Sequence, residues 1–259
     1  MTKVSILDVP IDAQRYEAAI EAMLETARSG GPRRAHFATV HSVIECTDSP
    51  ELRQAFSSAW MVCTDGVPLA WVARLRGSPA ERVCGPDVML SVCDRGRDAG
   101  LRHYFLGGAP GTAERLAAKL TSKFPGLAVA GTATPPFRAE TQEEDEATVR
   151  AINAATPDVV WVGLGSPKQD LWAAGHLAKL NCHLVLPVGA AFDFHSGNVR
   201  RAPSWMRRLG LEWLFRLAME PRRLLRRYLV TNTRFVVKVT REELALRLGR
   251  RRGRDVPGR

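Results

Sequence analysis

The chain has 259 residues, 45% of them hydrophobic and 25% charged, a composition that suits one large core or at most two and excludes the disordered, collagenous and disulfide-scaffold classes. Its net charge of +10 is unevenly spread: residues 200–259 hold 18 Lys/Arg against 5 Asp/Glu, a local +13, while the first 199 residues hold 19 against 22. An acid-balanced body therefore carries a cationic end, whose partner must be anionic: nucleic acid, lipid headgroups or a diphosphate substrate.

The opening residues, MTKVSILDVPIDAQRYEAAIEAM, lack a basic stretch followed by an apolar one, so no secretory signal is expected and the protein is placed in the cytoplasm. Short apolar runs at His36–Val40, Trp60–Thr64, His103–Leu106, Leu127–Ala130, Val159–Gly163 and Leu184–Val188 predict buried strands. Between and around them, helices are predicted over Gln14–Arg28, Pro50–Ala59, Pro68–Arg76, Pro86–Ala99, Thr112–Lys123, Glu143–Ala154 and Pro167–Leu180. Strands alternating with helices imply an α/β fold, an open, mostly parallel, Rossmann-like sheet with helices on both faces. Residues 1–199 are assigned to that domain. Residues 200–240 interleave arginines with Trp205, Trp213, Leu224 and Leu225 and form a basic amphipathic helical appendage; 241–259 are expected to be a disordered basic tail. No run of about 18 apolar residues spans a bilayer, so any membrane contact is peripheral.

The five cysteines, at 46, 63, 84, 93 and 182, form no CxxC pair, and they read as buried apolar residues of a reducing compartment. The histidines lack ligand spacing, and neither a metal site nor a cofactor is proposed.

Ligands of open α/β sheets sit beyond the carboxyl ends of the strands. The residues there are Thr39 and His41, Asp65-Gly66, Gly107–Gly111, Gly165–Gln169 and Gly189–Asp193. Gly107–Gly111 leads from a strand into a helix, as a phosphate loop or a plain tight turn would. In Gly165–Gln169 the first helical turn holds Lys168, a cation opposing the helix dipole unless an anion lies nearby. Asp65, at the end of an apolar strand, suits either a helix cap or a general base.

In order along the chain, Asp65-Gly66-Val67-Pro68, Arg82 through Asp87, Gly107–Gly111, Gly163 through Gln169, Gly189 through Phe194, and Arg201 through Met206 with Glu212 to Arg216 and Glu220 to Arg223 resemble the motifs of the WecG/TagA/CpsF glycosyltransferases, family 26. The resemblance covers residues from about 5 to 230 and implies an inverting hexosyltransferase that moves a sugar, N-acetylmannosamine, its uronic acid or a related hexose, from a UDP-sugar to a polyprenyl-diphosphate-linked sugar. It implies Asp65 as the base, with Thr39, His41 and Gln169 beside the chemistry. Gly107, Gly108, Phe137, Gly165, Lys168 and Asp193 are then expected on the donor. Arg82, Arg216, Arg222, Arg223 and Arg226 are expected on the diphosphate or the acceptor. The family usually has Thr-x-Asn where this chain has Thr39-Val40-His41, which replaces an amide by an imidazole.

The chain lacks the Asp-x-Asp triplet with which many sugar-nucleotide enzymes hold a metal; Arg82, Lys168 and the C-terminal arginines are the available replacements. The expected partners are the two substrates and an anionic membrane surface at the inner face of the cell membrane; a homo-oligomer is left open. Two other classes compete. A nucleic-acid binder would use the +13 end but gives Asp65 and Lys168 no role. A dinucleotide oxidoreductase is disfavoured by the missing GxGxxG.

Overall fold

The computed structural model describes residues 3–254 other than Phe137, with the side chains of Arg208, Arg223, Arg227 and residues 249–254 left aside. A hairpin of β1 (Lys3–Ile6) and β2 (Val9–Asp12) comes first, then α1 (Tyr16–Ser29), β3 (Arg33–Ala38), α2 (Val40–Asp48), α3 (Pro50–Ser57), β4 (Met61–Thr64), α4 (Val67–Leu75) and α5 (Gly85–Arg95). The second half holds β5 (Arg102–Gly107), α6 (Thr112–Lys123), β6 (Ala128–Ala133), α7 (Gln142–Ala155), β7 (Val159–Gly163), α8 (Lys168–His176), β8 (Leu184–Pro187) and α9 (Ala191–Ser196). Three helices close the chain: α10 (Ser204–Arg208), α11 (Glu212–Met219) and α12 (Pro221–Arg254).

Six strands form one parallel sheet in the order β4-β3-β8-β7-β5-β6. All six correspond to the strands expected from the sequence. Side chains alternate across the sheet, as a two-period requires. Phe105 and Trp161 pack with Met23, Met89 and Leu116 from α1, α5 and α6, while Leu106, Val160 and Val162 pack with Ile152 and Trp172 from α7 and α8. Both faces are thus covered, as parallel sheets demand.

Two elements depart from the sequence reading at the amino-terminal side. The β1–β2 hairpin turns at Leu7 and Asp8, which adopt φ of 50° and 64°; with no glycine at either position and Pro10 inside the run, the usual hairpin signal is missing. The strand expected through Val40 stops at Ala38, whose carbonyl accepts from the Asp65 and Gly66 amides. Thr39 and Ser42 then form a reciprocal capping box that starts α2, and this overrides the strand preference of the β-branched residues around it.

The C-terminal segment is packed onto the body. Along α12, Leu224, Thr231, Phe235 and Val239 form a buried stripe, and Phe235 and Val239 join the cluster of Ile6, Ile44, Phe56 and Leu69. Arg76 on the C-cap of α4 pairs with Glu242 at 2.8 Å and Glu243 at 2.7 Å, and Arg234 pairs with Asp48 at 2.7 Å. The boundary expected at 240 falls inside one continuous helix, so residues 241–254 are helical where a disordered tail was expected; 255–259 lie outside the described residues. Intra-helical spacing of the four buried residues, together with Glu242 and Glu243, supplies the apolar face and ion pairs that composition alone conceals.

Candidate active site

From β5 the chain crosses to β6 on one side, and from β7 to β8 on the other. The order in which strands are added therefore reverses between β5 and β7, and beyond their carboxyl ends such sheets open a ligand crevice. Glycines line it. Gly107 has φ +123°, and a Cβ there would lie 2.6 Å from the Gly163 backbone; the Gly108 amide donates to the Gly163 carbonyl at 2.9 Å. Two backbones approach this closely only without side chains.

The loop from Gly165 to Gln169 closes the crevice from the β7 side. Gln169 is buried, and its Oε1 accepts from the Gly165 amide at 3.1 Å. That makes it a brace for the loop. Ser166 donates to Asp170 at 2.8 Å, and Asp170 in turn bonds the buried His36 at 2.8 Å. The anion required by Lys168 at the start of α8 is present within the chain: its Nζ lies 3.2 Å from Glu140 Oε1. Asp193 sits in the first turn of α9 and accepts from Asn198 at 3.3 Å. Phe137 lies outside the described residues.

At the opposite side of the sheet, Asp65 follows β4. Roughly 19 Å, four spacings of about 4.8 Å, separates the ends of β4 and β5, so the edge as a whole offers room for an extended nucleotide-sugar. Thr39 adjoins Asp65-Gly66 through the shared Ala38 carbonyl, but its hydroxyl accepts from the Ser42 amide at 3.1 Å as the cap of α2. His41 stands in the first turn of α2 and its Nε2 lies 3.2 Å from Glu45.

Asp65 is the most perturbed carboxyl of this edge. Burial raises its pKa to about 6; Arg82 acts in the lowering direction, and Glu212 raises it further. The Arg82 Nε donates to the Asp65 carbonyl oxygen at 2.9 Å, and its Nη2 lies 3.6 Å from Asp65 Oδ1 but 2.8 Å from Glu212 Oε2. Glu212, on α11, also accepts from Arg201 at 3.0 Å. Arg201 continues to Asp87 at 2.5 Å, and Arg207 reaches the same carboxylate at 3.2 Å. Burial works against ionisation of Asp87 and Glu212, yet their arginine partners hold both carboxyls below the ordinary range. Arg201, Asp87 and Glu212 fall within the quoted motifs, but the network joining them to Arg82 was not legible there because its members come from distant segments.

Beside this network lies a cavity of about 480 Å³ between α4 and α10, lined by Val67, Trp71, Arg82, Asp87, Arg207 and Leu209 among others. One wall is cationic. The other is apolar and reaches the surface at Trp71 and Leu209, each more than half exposed. Arg216 lies over the Phe194 ring at 5.8 Å, and Arg222 and Arg226 are exposed on the first turns of α12; the Arg223 side chain is among those left aside. Among the described residues no three His, Cys, Asp or Glu side chains gather as a metal site, and no helix is long and apolar enough to cross a membrane.

Known proteins resemble the chain over most of its length. The profile of the glycosyl transferase WecG/TagA/CpsF family matches residues 4–249. An N-acetylglucosaminyldiphosphoundecaprenol N-acetyl-beta-D-mannosaminyltransferase of Bacillus spizizenii is 30% identical over 225 residues, covering 86% of this chain and 85% of its own length. A Bacillus subtilis protein of the same name is 29% identical over 188 residues, covering 72% and 71%. With a match running through the glycine crevice, Asp65 and the helices of the C-terminal segment, the chain belongs to the WecG/TagA/CpsF family of glycosyltransferases.

Proposed function

We propose that this glycosyltransferase moves a hexose from a UDP-sugar to a sugar hydroxyl carried on a polyprenyl diphosphate, with inversion and without a metal ion, at an anionic membrane surface facing the cytoplasm. The names of its relatives narrow the reading to N-acetylmannosamine as the sugar and N-acetylglucosaminyl-diphosphoundecaprenol as the acceptor. One observation carries it. A half-buried carboxyl, Asp65, has its pKa raised to about 6 next to a guanidinium that opens on a cavity with an apolar exit.

The roles follow from charge. The UDP moiety occupies the glycine crevice, where backbone can approach its phosphates. Asp65 takes the proton of the acceptor hydroxyl, the freed oxygen forms a bond to the anomeric carbon from the face opposite the leaving group, and the carbon–oxygen bond to UDP breaks with its electron pair retained by the diphosphate. Lys168 and the C-terminal arginines offset that developing charge. Arg82 and Arg207 receive the acceptor diphosphate in the cavity while its lipid leaves past Trp71 and Leu209. Those residues, with Leu75 and Trp205, form an apolar rim within a cationic surround, the composition of an interfacial surface.

Transfer assays with a panel of UDP-sugars and a polyprenyl-diphosphate-linked acceptor test this reading. Asp65→Asn is expected to lower kcat by about 10²–10⁴ while UDP binding, followed by calorimetry, changes only a few-fold. Excess chelator is expected to leave the rate unchanged. Full activity of the variant removes Asp65 as base, and a requirement for Mg²⁺ or Mn²⁺ removes the metal-free displacement.

A further inference from the structure

Arg82 hangs between two carboxylates. Its Nη2 makes a charge-assisted contact of 2.8 Å with Glu212, whereas 3.6 Å to Asp65 is too long for a hydrogen bond. The nearer carboxylate belongs to α11, in the C-terminal segment, and Arg201 fixes it from the other side at 3.0 Å. Glu212 is buried, so the contact is weakly screened by solvent.

We propose that Glu212 is a positioning residue that holds the Arg82 guanidinium back from the Asp65 carboxylate, so that their ion pair stays too long for a hydrogen bond while α11 is seated. The inference rests on Asp65 being the base. Every charged group that faces it acts in a known direction: Arg82 and Arg201 favour its ionised form, while Glu212 and Asp87 disfavour it. The neighbouring Cys84 and Cys63 thiols are pushed up by burial and remain neutral. Without the Glu212 charge, two effects add. A negative neighbour is lost, and Arg82 is free to close on Asp65. Both make the carboxylate more acidic and a poorer acceptor for the substrate proton. A diphosphate arriving in the cavity meets Arg82 already oriented by Glu212 and does not have to compete with the base for it.

Arg201 provides the opposite lever. Its loss removes a cation near Asp65, leaves Glu212 to Arg82 alone and unmasks Asp87, and each change makes Asp65 less acidic. A residue that only stabilised the fold would lower activity in both variants without moving their pH dependence in opposite senses.

The experiment is kcat/KM against pH for the full-length chain. The wild-type acid limb is expected at about 6. In Glu212→Gln the limb should fall by roughly one pH unit or more, with a lower plateau; Glu212→Asp, which restores the charge, should bring it back toward wild type. In Arg201→Gln the limb should rise. A limb in Glu212→Gln that stays in place or rises overturns the proposal. If that variant does not fold, Arg201→Gln decides alone, and an unmoved or lowered limb overturns it. Asp65→Asn separates the two readings: an active Asp65→Asn removes the base itself, whereas an inactive one beside an unshifted Glu212→Gln removes only the role of Glu212.

Discussion

Asp65 carries a cost that has a measurable sign. Its pKa is raised from an ordinary 3.8 to about 6 because burial disfavours the charged form. Above pH 6 the carboxylate is ionised in both folded and unfolded chains, and the folded state bears the whole desolvation penalty. Below 3.8 it is protonated in both, and the penalty is gone. Asp65→Asn should therefore raise Tm at pH 8, with the gain shrinking as pH falls from 6 toward 4. A gain that is constant across that range, or a loss, would mean that Asp65 is not destabilised by its site. The position of Asp65 at a strand end and of Arg82 just before the Gly-Pro-Asp motif was legible in the sequence. The carboxylate that sets their relation was not, because Glu212 meets Arg82 only through the docking of a segment 130 residues away.

Among the elements, α12 most changes the picture drawn from charge. Its arginines suggest a solvated helix, but Phe235 and Val239 are buried against the hairpin and α2. Truncation after Val199, which spares every strand, would still strip these residues and the Arg76 pairs from the body. Phe235→Ala should cost about 3 kcal/mol, seen as a lower urea midpoint with an unchanged slope; a midpoint within error of wild type would make α12 a dispensable attachment. The seven helices expected from the sequence are present, with α5 ending at Arg95 and α8 at His176, short of the expected Ala99 and Leu180. α2 was missed because Thr39-Val40-His41 reads as the continuation of a strand, and only the Thr39–Ser42 box ends it. The imidazole of His41 consequently belongs to a helix turn paired with Glu45.

At the scale of the whole molecule, the +13 of residues 200–259 stands beside an apolar rim that draws on both the body, through Trp71 and Leu75, and the C-terminal segment, through Trp205 and Leu209. Binding to anionic vesicles should then have two components. Reversing Arg222, Arg223, Arg226 and Arg227 to Glu should abolish most sedimentation with phosphatidylserine vesicles, since each cation near such a surface contributes about 1 kcal/mol; Trp71→Ala should weaken binding at high salt, where the charges are screened. Equal sedimentation of wild type and both variants would make the rim and the arginines independent of any membrane. The parallel sheet itself was legible from six apolar runs, but the hairpin that precedes it was hidden by a turn without glycine.

That hairpin has one further effect. β4 is an outer strand of the sheet, and the Val62 amide on it donates to the Asp12 carboxylate of β2 at 2.9 Å. A side chain, rather than another strand, occupies a backbone position through which a second polypeptide could extend the sheet. Asp12 is buried and its pKa is raised by that burial, so the contact costs some stability while it withholds the Val62 amide from edge-to-edge pairing along β4.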